Sequence, residues 1–430
     1  MAASQAAHLV EKAIGHDDNA TTAQDVSTFL DAGEGDRMNA LVWMGKNRVE
    51  IAQVPKPKIV QDRDVILKVT GSTVCGSDLH LLHGSVLQLS KGDILGHEFC
   101  GVAEFVGRQV HNVHVGKRYV ASFQIACGDC FYCKRKQSSQ CEKTNANAMA
   151  KAMYGGRTAG MFGYSHLTGG FAGGQAEYVR VPFGDVNLLE LPDDVPDEKG
   201  KSNTLDTGVE KADSVAIFGA GPIGHMAGVF ALDRGARKVV FVDTEPRLSY
   251  IRSHFPREYM SRVALVDFKT VSSGITNSKT VVSRLKEICD GRGPDVALEC
   301  AAGEYAKGWL HWLEMATGAE TDTSEIVNEM IESVHSFGRC GITGVYVGYR
   351  GIRFIGNGQA PVHMYWKDLL AAIQKKEFDP LQMVSHRVRL EDLDKVYYMF
   401  DNKEDSMQKV FVETKFSAPA AQGSPPLTRY

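Results

Sequence analysis

Short apolar runs broken by Gly, Asp and Pro dominate the chain from Met38 onward. LVWMG, RVEIAQV, DVILKVTGS, GVAEFVGRQV and KRYVASF are rich in β-branched and aromatic residues. That texture predicts successive short strands in a small, barrel-like β domain. Near Asp213 the pattern changes. SVAIFGAGPIGHMAGVFALDRGARKVVFVD reads as an apolar strand, a glycine turn, a helix of small residues and a second apolar strand. Strand, helix and strand in that order make the βαβ unit of a parallel sheet. DVALEC (295–300) and GRCGITGVYVG (338–348) carry the same texture and are expected in that sheet. A helical pattern around Val362–Gln374 and a last strand, KVFVETKF, are expected to return to the first domain.

The two ends read differently. Residues 1–36 are small, polar and partly acidic, with no arginine before Arg37, which predicts a disordered tail rather than a mitochondrial presequence. Residues 417–430, rich in Pro, Ser and Ala, predict a second disordered tail.

Composition narrows the function classes. A formal net charge of −4 offers no electrostatic footprint for nucleic acid or an anionic membrane. No apolar run reaches the roughly 20 residues of a membrane span. Nine cysteines without an export signal point to a reducing compartment, with the cytoplasm as the expectation. Glycine is 43 of 430 residues, above the usual share of about 7%, which suggests tight turns and backbone close to a ligand.

The candidate chemistry lies in three places. Cys127, Cys130, Cys133 and Cys141 follow the spacing C-x2-C-x2-C-x7-C. Four thiolates so close can converge on one tetrahedral zinc of structural type. An iron–sulfur cluster uses a similar start, and a disulfide is disfavoured in a reducing compartment. The second place is GAGPIG. Gly219 would make the tight turn, Gly221 would let backbone approach a pyrophosphate, and Gly224 would allow close helix–sheet packing, with Pro222 and Ile223 opening the helix. Asp243 ends the next strand, where a carboxylate accepts from the adenosine ribose and repels a 2′-phosphate. NAD is therefore expected over NADP, with Arg247 beside the adenosine. Another nucleotide, or none, is the rival for a glycine turn alone. The third place is dispersed: Cys75 opens CGSDLH and His97 precedes Glu98 in GHE. Thiolate and imidazole suit a catalytic zinc, although either residue alone is more often part of a core.

Together CGSDLH, GHEFCGVAEFVG, the four-cysteine run, GGQAEYVRVP and GAGPIG resemble the zinc-dependent medium-chain dehydrogenases. GMFGYSHLTGGFAGGQAEYVRVP (160–182) and GNGQAPVHMYW (356–366) resemble their glutathione-independent formaldehyde dehydrogenase branch. The likeness covers about residues 38–416. It implies an α/β fold: a GroES-like β-rich catalytic domain (37–206 and 356–416) plus a Rossmann domain with a doubly wound parallel sheet (207–355) and NAD in the cleft between them. It implies a catalytic zinc on Cys75 and His97, with Glu98 as an outer or alternate ligand. Asp78 would orient His97, Ser77 would take the substrate's proton, and His80 would pass it on. NAD would also meet Gly76, Ser77, His80, Thr343, Gly344, Val345, Gly358, Gln359 and Ala360. The implied reaction oxidises a small aldehyde hydrate or primary alcohol, formaldehyde to formate first, in a homo-oligomeric dimer or tetramer.

Two departures qualify the likeness. The family pattern has a third zinc ligand, an aspartate in a leucine-serine-aspartate stretch after a PDEKG-like run. Here VPDEKG (195–200) passes directly into KSNTLDTGVEKADSV, and Asp206 is the nearest carboxylate left. A second stretch is missing where GVYVGY (344–349) runs into RGIRFIGNG, at a place that implies cofactor and subunit contacts. Such gaps read as skipped coding segments or an incorrect gene model. The alternative reading is an impaired protein that keeps NAD binding and loses the catalytic metal.

Overall fold

The computed structural model describes residues 36–154, 158–199, 209–272, 280–301, 325–335, 338–342 and 362–430. The chain divides into two compact units, Met1–Ser202 with Pro361–Tyr430, and Asn203–Ala360.

The first unit begins with an antiparallel pair, β1 (Arg37–Gly45) and β2 (Arg48–Pro55). Next come β3 (Val65–Val74), β4 (Phe99–Val106) and β5 (Arg118–Ala121), a small ribbon of β6 (Gln124–Ile125) and β7 (Gly160–Met161), then β8 (Tyr178–Val181) and β9 (Leu188–Glu190). Strand alternation divides the core between faces. On β3, Val65, Leu67 and Val69 join Phe99, Tyr119 and Phe162, whereas Ile66 turns toward Met38, Ala40 and Tyr178.

The second unit is a five-stranded, wholly parallel sheet. Its strands are β10 (Ser214–Phe218), β11 (Lys238–Asp243), β12 (Val263–Asp267), β13 (Val296–Glu299) and β14 (Arg339–Ile342), in the order β12-β11-β10-β13-β14. The central strands are apolar along their middles because both faces are covered. Val215, Ile217, Val239 and Phe241 pack on one side with Ala227 and Ala231 of the helix Pro222–Asp233. Ala216, Phe218, Val240 and Val242 pack on the other with Leu285, Ile326 and Met330. This is the Rossmann arrangement expected from the βαβ pattern.

The chain returns to the first unit through the helix Val362–Gln374, β15 (Val384–Arg389), the helix Leu393–Asp401 and β16 (Lys409–Glu413). β16 pairs with β3, so strands far apart in sequence share one sheet. The expectation of a disordered tail at 417–430 is corrected. Leu427 and Thr428 form β17 alongside β15, and the Glu198 carboxylate accepts from Ala421 N and Ser424 Oγ. Composition suggested a free tail, but the edge of β15 and the buried acid Glu198 supply partners that no local pattern reveals. Among the described residues no helix is long and apolar enough to cross a membrane.

Candidate metal and cofactor sites

β3 ends at Val74 and delivers Cys75 to the N-cap of the helix Gly76–Leu82. Asp78, in the first turn, accepts the Cys75 backbone N–H through Oδ2 at 2.8 Å, which closes the cap. His97 and Glu98 sit just before β4, the strand paired with β3. Pairing thus gathers Cys75, His97 and Glu98, whose ligand atoms lie within 4.8 Å of one another. The Ser77 hydroxyl lies between the first two, 3.4 Å from Cys75 Sγ and 3.3 Å from His97 Nε2. His80 follows one turn later on the same helical face.

The charges here are strongly coupled. Burial alone would lower the His97 pKa, but the Asp78 carboxylate overrides it and holds the imidazole well above its ordinary value. Burial opposes ionisation of Cys75, yet the Lys409 ammonium brings its thiol below the usual value. Glu98 is also buried, and Lys409 and His97 hold it far below the carboxylate range. Lys409 Nζ donates to Glu98 Oε2 at 2.5 Å, and the Thr73 hydroxyl donates to the same oxygen.

A thiolate, an imidazole and a carboxylate form a donor set suited to zinc. His97 Nδ1 and Asp78 Oδ1 are buried 3.3 Å apart without a well-aligned bond, the carboxylate–imidazole pairing that accompanies a ligating Nε2. The four-cysteine run also fits. Cys127, Cys130, Cys133 and Cys141 bring their sulfurs within 4.8 Å of one another. The neighbouring Cys127 and Cys133 thiols lower the Cys141 pKa while the same contacts raise that of Cys133, so one proton is shared unevenly among close sulfurs.

The glycine turn lies in the other unit and also fits its expected ligand. Gly219 has φ +109°, and a Cβ there would meet the Cys300 carbonyl carbon at 2.7 Å. At Gly224 a Cβ would stand 1.8 Å from Gly219 O, whereas nothing lies within 4 Å of one at Gly221. Helix and strand are therefore pressed together beside an open face at the N-cap of Pro222–Asp233, a geometry suited to a phosphate. Asp243 accepts from Ala220 N at 2.6 Å and Thr244 N at 2.7 Å, and Arg247 stands 3.7 Å away. Gly76 is exposed with open space around it. Thr343, Gly344, Val345, Gly358, Gln359, Ala360 and Asp206, together with both sequence gaps, lie outside the described residues.

Sequence reasoning missed several residues at the metal site. Lys409 and Thr73 fix Glu98. The Tyr164 and Phe123 rings stand edge-on to His97 at 5.2 and 6.5 Å. Tyr164 and Lys409 were in view within GYSHLTGG and KVFVETKF, but nothing local marked them as site residues.

Known proteins share this arrangement. Residues 61–193 match the alcohol dehydrogenase GroES-like domain. A zinc-type alcohol dehydrogenase-like protein of Schizosaccharomyces pombe is 36% identical over 88% of this chain and 92% of its own length. The chain belongs to the zinc-type alcohol dehydrogenases. A glutathione-independent formaldehyde dehydrogenase of Pseudomonas aeruginosa is 29% identical over 84% of this zinc-type alcohol dehydrogenase and 94% of the relative. The alcohol dehydrogenase of Thermus sp. ATN1 superposes with a TM-score of 0.67 at 29% identity, covering 88% of this chain and all of that one. This zinc-type alcohol dehydrogenase is accordingly a zinc- and nicotinamide-linked oxidoreductase of alcohols or aldehydes.

Proposed function

We propose that this dehydrogenase uses NAD to oxidise a small aldehyde hydrate or primary alcohol, with hydrated formaldehyde going to formate as the first substrate. The carrying observation is the Ser77 hydroxyl held between Cys75 Sγ and His97 Nε2. Zinc held by Cys75 and His97 would supply Lewis acidity, and the nicotinamide would accept hydride. The chain's own residues handle the proton and the fit. Ser77 Oγ is placed to accept the substrate's hydroxyl proton, and His80, three residues on, is placed to carry it away. The Phe123 and Tyr164 rings standing edge-on to His97 put bulky apolar groups beside the ligand set, which supports a small substrate. Asp243 presents a carboxylate to the adenosine ribose and disfavours a 2′-phosphate.

A second reading, weak metal retention, is favoured by one observation. Glu98 Oε2 is already held by Lys409 and Thr73, so as a third ligand this carboxylate would share its charge with an ammonium. The described residues then supply two firm ligands where catalytic zinc sites use three. The substrate claim is tested by NADH formation with formaldehyde and with short primary alcohols as zinc is added back. The highest kcat/KM should fall to formaldehyde. A preference for a long or secondary alcohol would reject that substrate.

A further inference from the structure

Asp78 serves both metal-ligand candidates. Its Oδ2 holds the Cys75 backbone at 2.8 Å and its Oδ1 faces His97 Nδ1 at 3.3 Å. Any rotation of this carboxylate would move both. Besides His97, the side chain that reaches it from outside its own helix, among the described residues, is Gln175, fully buried just before β8. Gln175 is anchored to the segment entering His97, because its N–H donates to Leu95 O at 3.0 Å. Gly96, at φ +97°, makes room for it: a Cβ there would stand 2.5 Å from Gln175 Cγ.

A carboxamide can sit in two orientations, and they differ in consequence. One turns Nε2 toward Asp78, and the other turns a carbonyl oxygen against that carboxylate. The Thr73 carbonyl can only accept, and it lies 3.0 Å from Nε2, with Asp78 Oδ2 at 3.5 Å on the same nitrogen. On the other end, the Tyr397 hydroxyl donates to Gln175 Oε1 at 2.7 Å. Tyr397 belongs to the helix Leu393–Asp401 and is fully buried. The acceptor-only Thr73 carbonyl and the Asp78 carboxylate select the orientation that keeps an N–H toward Asp78, and the Tyr397 hydroxyl completes it by donating to Oε1.

We propose that Gln175 and Tyr397 are positioning residues of the metal site, holding Asp78 and through it Cys75 and His97. Neither is placed among the groups that touch substrate or cofactor. The proposal rests on the reading of Cys75 and His97 as metal ligands. Outer partners of this kind typically alter metal affinity by about 10–100-fold, and a site with two firm ligands has little else to fix its geometry.

The rival is that Tyr397 only fills the core beside Leu41, Val388 and Val410. Tyr397→Phe keeps the ring and removes the hydroxyl. Gln175→Leu removes the amide, and Gln175→Glu sets a second carboxylate against Asp78. Full-length protein that retains its lobe zinc is titrated with Co(II), reading the thiolate charge-transfer and d–d bands alongside Tm. Tyr397→Phe and Gln175→Leu should each weaken Co(II) binding roughly tenfold or more and shift the d–d bands. Gln175→Glu should be worse than Gln175→Leu. Unchanged affinity and spectrum in both would overturn the proposal. So would a loss that only follows a fall in Tm while the spectrum stays the same. If the wild type takes up no more cobalt than Cys75→Ala, the metal-site reading itself fails and takes this proposal with it.

Discussion

Asp243 shows how one side chain can hold two duties. Its Oδ2 accepts from Ala220 N inside the glycine turn, so it shapes the turn as well as serving the proposed ribose contact. Asp243→Asn keeps an acceptor for only one of the two backbone donors, Ala220 or Thr244, and removes the charge that would repel a 2′-phosphate. The variant should bind NAD less tightly and narrow its preference over NADP by about tenfold, since a charged hydrogen bond contributes roughly 1.5–3 kcal/mol. Fluorescence titration with both coenzymes measures this, and wild-type preference for NADP would refute the assignment. Cys130 provides a second test at this scale. Cys130→Ala leaves three thiolates, which cannot close a tetrahedron. Zinc per chain should fall by one and Tm should drop, at roughly 2–4 °C for every kcal/mol lost. Unchanged zinc and Tm would remove the lobe from the list of metal sites. Both assignments were legible in the sequence because turn, carboxylate and cysteines lie close along the chain. Lys409 and Tyr397 were not legible. They meet Glu98 and Gln175 across separations of 311 and 222 residues, which only the closing of the sheet creates.

At the scale of elements, the helix Pro222–Asp233 carries an acid-sensitive position. His225 is 1% exposed, and neither ring nitrogen has a hydrogen-bond partner among the described residues. Burial, and then the nearby charge of His254, lower its pKa to about 4 from the usual 6.5; Tyr250 and Phe255 pack against the ring. The folded chain therefore prefers neutral His225, whereas the unfolded chain protonates near 6.5. Stability from this position is complete above pH 6.5 and is lost as pH falls toward 4. The loss is about 3 kcal/mol at most. Urea unfolding of wild type and His225→Phe at neutral pH and near pH 5 should show a smaller acid loss in the variant. Equal losses would exclude His225 as the source. His363 follows the same rule in the first unit. It bridges Ser138 Oγ at 2.8 Å and Asn187 Oδ1 at 3.1 Å, and burial lowers it to about 4. The sequence revealed these helices by their apolar texture, but not what each buried histidine faces. It also misjudged 417–430, because strand pairing with β15 depends on a partner remote in sequence.

At the scale of the whole molecule, two units divide the work: one gathers the metal ligands and the other holds the glycine turn. The division was readable from the change of texture near Asp213, since a β-rich run and a βαβ unit bury their apolar faces with different periods. The interrupted segments were readable only by comparison with the family pattern. The central claim is that this chain is a nicotinamide-linked dehydrogenase whose metal sits on Cys75 and His97. It is tested most directly by measuring zinc per chain after dialysis together with formaldehyde-dependent NADH formation, before and after adding zinc, in wild type and Cys75→Ala. Wild type should keep about one tightly held zinc on the four cysteines. It should take up a second only with added metal and form NADH in proportion to it, while Cys75→Ala does neither. NADH formation that ignores the second zinc, or that survives Cys75→Ala, would contradict the account.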